Sequence, residues 1–210
     1  MVCERALAAA NASRCGFVEI RLCTVHNRGE MSDGLRHIVP VRTLVVDENH
    51  ACWNTQGMFF REFPSDANLI RYYTVMIINK APEKMKEKSL LEQQVSEIIK
   101  NAIWHGNKKN KAKMVRIWFS FSDVAKVIVE DEGAGFLELE NWKNFKEERD
   151  KAFAEGDPVR MMQYVSFRTK DSTDDDGGNS LFAAVEYWNL GMIYNSSKNK
   201  VCAMRQFEDS

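Results

Sequence analysis

Three groups of residues have the types and spacing that chemistry needs. Glu97 and Asn101 stand four apart in Glu97-Ile98-Ile99-Lys100-Asn101. On a helix this sets a carboxylate and a carboxamide one turn apart on one face. The first can act as a general base and the second as an oxygen ligand for Mg²⁺. Asp131-Glu132-Gly133-Ala134-Gly135-Phe136 follows an apolar run. A carboxylate fixed at a strand end can accept a hydrogen bond from an exocyclic amine such as that of adenine. The two glycines let backbone come close to a ligand. Gly177-Gly178-Asn179-Ser180-Leu181 precedes another apolar stretch. Glycines opening a helix leave N–H groups and the positive dipole end open to phosphate. Each group alone also fits an ordinary role: a polar helix face, a turn, a flexible helix start. There is no Gly-Lys-Ser/Thr, so the glycine pair is not a Walker A loop.

Regular elements must hold these groups. The best helix is Ser89 to His105, with Leu91, Val95, Ile98 and Ala102 at helical spacing, Ile99 and Ile103 widening the stripe, and Gly106-Asn107 as the stop. His105, two turns after Glu97, reads as a helix-end packing residue. Met114 to Phe121 alternates Val115, Ile117, Phe119 and Phe121 on one side, and Val124 to Glu130 is nearly all apolar, as in a central strand. Upstream, strands are expected at Ile38-Val39, Thr43 to Val46 and Gly57 to Phe63, with a helix from Ala67 to Asn79 capped by Ser65 or Asp66. Residues 137–176 are polar and acidic and show no clear core pattern apart from a helix around Asn141 to Glu155. Leu181 to Trp188 is a further helix. Gly191 to Asn195 and Lys200 to Phe207 form a hairpin around Asn195-Ser196-Ser197-Lys198-Asn199. The expected fold class is α+β: a two-layer sandwich, mostly antiparallel, with helices on one face.

The 210 residues carry 29 Lys+Arg against 30 Asp+Glu, which excludes a basic nucleic-acid binder and a disordered polyampholyte tail. The near-zero sum hides an uneven distribution. Residues 79–116 hold ten Lys+Arg and four Asp+Glu, whereas 137–176 hold seven and eleven. The apolar runs are too short for a membrane span or a secretory leader, so a cytoplasmic location is expected. The five cysteines (Cys3, Cys15, Cys23, Cys52, Cys202) have no C-x-x-C spacing and read as free thiols. Residues 1–36 are poorly patterned, and a start at Met31 would remove most of them.

Taken in order, Glu97-x-x-x-Asn101-Ala102-Ile103-x-His105-Gly106-Asn107, Asp131-x-Gly133-x-Gly135-Phe136 and Gly177-Gly178 resemble the N, G1 and G2 boxes of the GHKL ATPase superfamily. The run from Glu97 to Gly106 is most similar to the anti-sigma-factor serine/threonine kinases of that superfamily, the RsbW/SpoIIAB-like branch. The resemblance spans about residues 57–207 and implies the Bergerat ATP-binding fold over 57–210, with an ATP lid at 137–176. Residues 1–56 would be an extension of unassigned role.

The resemblance also implies roles. Glu97 would be the general base, Asn101 the Mg²⁺ ligand and Asp131 the adenine-binding carboxylate. Gly133, Gly135 and Phe136 would line the adenine site, and Gly177, Gly178 and Ser180 would meet the phosphates. Lys100, Lys108, Lys109 and Arg168 are candidate cations for the developing charge. The implied cofactors are ATP and Mg²⁺. The implied partners are a STAS-type anti-sigma-factor antagonist as substrate, a sigma factor, and a second copy of the chain. Departures remain: Ser180 replaces a further glycine, Lys198-Asn199 stands near a usual Gly-Thr, and the lid is long and ends in Asp174-Asp175-Asp176. An ATP-binding partner switch without phosphotransfer is the alternative. A histidine-kinase catalytic domain ranks third, because none of the four histidines has the helical setting such a kinase phosphorylates.

Overall fold

The structure, a computed structural model, describes residues 43–83, 85, 87–169 and 178–207. The expected strand at Ile38-Val39, three of the cysteines, Gly177 and the Asp174–Asp176 run lie outside the described residues. The chain begins at β1 (Leu44–Val46), makes a 3₁₀ turn at Ala51–Trp53 and runs along β2 (Phe59–Pro64). The Asp66 carboxylate accepts from the Asn68 N–H at 3.1 Å and starts a 3₁₀ turn that leads into α1 (Ile70–Ile78). Then come α2 (Lys88–Asn101), β3 (Met114–Phe121), β4 (Val124–Glu130), α3 (Leu139–Glu155), α4 (Pro158–Gln163), α5 (Ser180–Tyr187), β5 (Gly191–Tyr194) and β6 (Lys200–Gln206).

The six strands form one open sheet in the order β1-β5-β6-β4-β3-β2. Four neighbouring pairs are antiparallel and β1 lies parallel to β5. The sheet is thus mixed, and it takes in residues 44–46, upstream of the boundary expected at 57. A parallel pair requires a long crossover, and here every helix among the described residues lies between the two strands in sequence.

Alternation decides which residues face the helices. Val115, Ile117, Phe119 and Phe121 point to one side of β3 and are buried in one cluster with Leu91, Val95 and Ile99 of α2. β4 lies between β3 and β6 and buries Val127, Ile128 and Val129 in succession, so both its faces are covered. On the second face, Ile128, Ile193, Cys202 and Met204 form a smaller cluster with Cys52 of the 3₁₀ turn, and Trp53 and Met58 pack on it. The segment before β2 therefore covers part of the face opposite the helices.

Two expectations need correction. The helix predicted from Ser89 to His105 changes geometry: α-helical bonding stops at Asn101, and Ala102–Gly106 form a π-helical turn closed by the Asn107 N–H donating to Ala102 O at 2.8 Å. His105 on this turn is exposed. Nor do residues 137–169 lack core contacts. α3 buries Leu139, Trp142 and Ala152, with Trp142 stacked on Phe182 of α5 at 5.4 Å between ring centres. α4 was not foreseen, although Asp157-Pro158 is a cap signal. The Asp157 carboxylate accepts from the Val159 N–H at 2.9 Å, and proline suits the first helical turn. No helix among the described residues is long and apolar enough to cross a membrane.

Candidate functional site

A tight polar corner forms where β4 ends. Antiparallel pairing runs to Glu130, opposite Lys200, and the chain then leaves the sheet at Asp131. Two asparagines hold this exit. The Asp131 N–H donates to Asn199 O at 2.9 Å, and Asn199 Nδ2 returns a bond to Asp131 O at 2.9 Å. On the other side the Glu132 N–H donates to Asn107 Oδ1 at 2.7 Å. The Glu132 carboxylate accepts from the Met114 N–H and from Arg116 Nη2, and Lys113 Nζ donates to Glu132 O. The turn after β4 is therefore fixed on both flanks.

Its glycines answer to space. A Cβ on Gly106 would lie 2.4–2.5 Å from the carboxyl atoms of Asp131. One on Gly133 would lie 2.2 Å from Gly106 O. The end of the π turn and the G-x-G segment thus press together around the Asp131 carboxylate with no room for side chains. Gly135 has φ +82°, and its Cβ would fall 2.0 Å from Ser197 O in the β5–β6 turn. The next residue, Phe136, donates its N–H to Lys198 O at 2.9 Å, and its ring lies 6.0 Å from that of Tyr194.

Burial pushes the Asp131 carboxyl up to about 6, although the Gly133 N–H at 2.8 Å and nearby Lys113 favour the ionised form. Burial also raises the Tyr194 phenol, and the Asp131 charge adds to that shift. A desolvated carboxylate in a shaped corner is well suited to accept a hydrogen bond from a planar amine.

Asp131, Gly133, Gly135 and Phe136 lie along one turn, with the β5–β6 turn and Gly106 completing the corner. Glu97 and Asn101 lie on α2, both half-buried, and Asn101 precedes the Gly106 contact by five residues. The physical link between the two groups is α2 itself, whose Leu91, Val95, Ile98 and Ile99 are buried. Gly178 is half-buried and accepts the Phe167 N–H at 3.2 Å, which ties the segment after α4 to the residues just before α5. Asn179 is the residue before α5, and Ser180, its first residue, is exposed. Of the candidate cations, Lys100 and Lys109 both lie over the Trp104 ring, at 5.1 and 3.8 Å. Lys108 and Lys109 both have positive φ, at 54° and 58°. Lys108 and Arg168 are exposed.

The donor set fits an adenine nucleotide with Mg²⁺. Gly106, Gly133 and the Asp131 carboxyl pack directly on one another, so the corner requires glycine at both positions. The Asn101 amide offers the hard oxygen that Mg²⁺ takes alongside phosphates. Among the described residues no three His, Cys, Asp or Glu side chains group as a metal set. A nucleotide-borne Mg²⁺ needs only one or two protein ligands.

Asn107 is the residue that sequence reasoning missed. It was read as a helix stop, yet it is buried and bonded to three segments. Nothing in Gly106-Asn107 separates a buried bridging asparagine from a solvent-facing one. No known protein-family model matches the chain, and no curated protein matches it.

Proposed function

We propose that this chain is a GHKL-type, Mg-ATP-dependent serine/threonine kinase of a partner-switching system. Its substrate would be a STAS-type antagonist, and it would also act as an anti-sigma factor, working as a homodimer. The observation that carries the reading is the Asp131 corner: a desolvated carboxylate ringed by Gly106, Gly133 and the β5–β6 turn. A six-stranded mixed sheet with α2 against it is compatible with the Bergerat fold that the reading requires.

In this reading Asp131 accepts the adenine amine, and Gly135 and Phe136 bound the base. Gly177, Gly178 and Ser180 present the start of α5 to the phosphates. Asn101 would hold Mg²⁺, which neutralises charge on the phosphate oxygens. Glu97 takes the proton of a substrate serine or threonine hydroxyl. The oxygen attacks the γ-phosphorus and ADP leaves with the former bridging oxygen. Positioning and charge stabilisation carry most of such a transfer.

One observation favours the alternative of an ATP-binding switch without transfer. The lid helix α3 is built into the core through Leu139 and Trp142, which restrains a segment that a turning-over kinase must open. A single experiment separates the readings. The protein and a Glu97→Gln variant are incubated with labelled Mg-ATP and candidate antagonists. The kinase reading expects label on a serine or threonine with the wild type only, and equal nucleotide binding by both. Nucleotide binding with no transfer by the wild type selects the switch.

A further inference from the structure

We propose that Asn107 is a positioning residue that sets the Asp131 carboxylate for base recognition and locks it to α2. This rests on the ATP-binding reading above. Asn107 is 1% exposed, and its side chain bonds in three directions. Nδ2 donates to Ser65 Oγ at 2.7 Å and to Met114 O at 2.9 Å, and Oδ1 accepts the Glu132 N–H at 2.7 Å. Met114 O can only accept and the Glu132 N–H can only donate, so these partners fix which way the amide faces. Ser65 is itself fully buried, and its N–H donates to Lys113 O at 3.0 Å.

Asn107 thereby joins the end of β2, the start of β3, the π turn and the turn after β4. Its bond to the Glu132 N–H orients the peptide that immediately follows Asp131. Asn199 grips the same peptide from its other side, through Asp131 O, and holds the preceding one through the Asp131 N–H. Between these two clamps the carboxyl has little freedom, because Gly106, the residue next to Asn107, lies against it. The same Asn107 closes the π turn that continues α2, the helix carrying Glu97 and Asn101. One amide thus couples the base-reading carboxylate to the helix that carries the metal and proton-transfer groups. Of its bonds, the one to Glu132 serves Asp131, whereas those to Ser65 and Met114 serve the fold.

That division gives the test. Affinities for Mg-ATP and Mg-ITP are measured by calorimetry for the wild type, Asn107→Ala, Asn107→Asp and Ser65→Ala, with thermal stability recorded for each. ITP carries an oxygen where ATP carries the amine, so the ATP/ITP ratio reports the Asp131 contact and a merely loosened fold does not alter it selectively. Asn107→Ala should lower the ratio about tenfold, the scale of one well-placed hydrogen bond. Asn107→Asp keeps an acceptor for the Glu132 N–H and should keep most of the ratio even with lowered stability. Ser65→Ala should lose stability and leave the ratio within about twofold. A folded Asn107→Ala with the wild-type ratio overturns the inference, as does loss of the ratio in Asn107→Asp or Ser65→Ala. A wild type that binds both nucleotides equally overturns the Asp131–amine contact and the inference with it, whereas one that binds neither overturns the ATP-binding reading itself.

Discussion

The corner at Asp131 and helix α3 are held by opposite means. At Asp131 the contacts are backbone against backbone: Gly133 on Gly106, Gly135 on Ser197, and two asparagine amides bonded to main-chain atoms. At α3 they are side chain against side chain. Trp142 stacks on Phe182, Phe145 meets Phe167 at 5.4 Å, and Arg149 lies over the rings of Phe153 and Phe182 while donating to Tyr164 O. Backbone contacts at a glycine tolerate no substitution because the opposing atoms cannot move aside. Aromatic packing is stabilised by area and can shift as a unit. The first arrangement fixes the turn by shape, and the second fastens α3 into the core by apolar area.

Substitutions can break this contrast. The largest effect is expected at Trp142, which is fully buried in a region whose composition reads as polar. Trp142→Ala should destabilise the fold by about 3–5 kcal/mol in chemical denaturation. A loss below about 1 kcal/mol would mean that α3 is a surface strap. Next is a matched pair of glycines. Gly135→Ala puts a Cβ against Ser197 O in a left-handed conformation and should cost about 2–4 kcal/mol. Gly156→Ala, at the end of α3 with φ +69° and open space around it, should cost only about 1 kcal/mol of backbone strain. Equal losses would erase the distinction between the regions.

The third effect is a gain. Asp131 has a folded pKa near 6, above its ordinary 3.8, so the folded state holds the extra proton between those values. Stability from this group is fullest below about pH 4, falls as pH rises toward 6 and stays reduced above it. Asp131→Asn removes the buried charge. It should raise nucleotide-free stability at pH 7.5 by about 1–3 kcal/mol, with the advantage shrinking toward pH 4. Unchanged or lower stability at pH 7.5 would contradict the desolvation. The smallest effect is at Lys151, whose ion pairs to Glu147 and Glu148 on α3 are solvent-exposed. Lys151→Ala should change stability by less than about 0.5 kcal/mol, read from the same denaturation curves.

The two regions also differ in how well they could be read in advance. β3 and β4 have the predicted boundaries because strict alternation and a continuous apolar run are strong local signals. The turn after β4 was legible for a similar reason: the glycine-containing stretch from Asp131 to Gly135 ends a continuous apolar run. α3 was only half legible. Its buried Trp142 and Leu139 are surrounded in sequence by charged residues that form pairs along the helix surface, such as Lys146 with Asp150. Those pairs mask the apolar stripe. The π turn at Ala102–Gly106 has no sequence mark at all; it follows from Asn107 being pulled into the β2–β3 junction. β1 was expected as a strand, but its parallel seat beside β5 depends on a partner about 150 residues away, beyond any local pattern.

The central claim is that the Asp131 corner reads the adenine amine. Calorimetric titration of the wild type and Asp131→Asn with Mg-ATP tests it most directly. The account predicts saturable one-to-one binding by the wild type and a loss of at least about tenfold in affinity for Asp131→Asn, even though that variant is the more stable protein. Equal affinity in the two proteins, or no binding by the wild type, would contradict it.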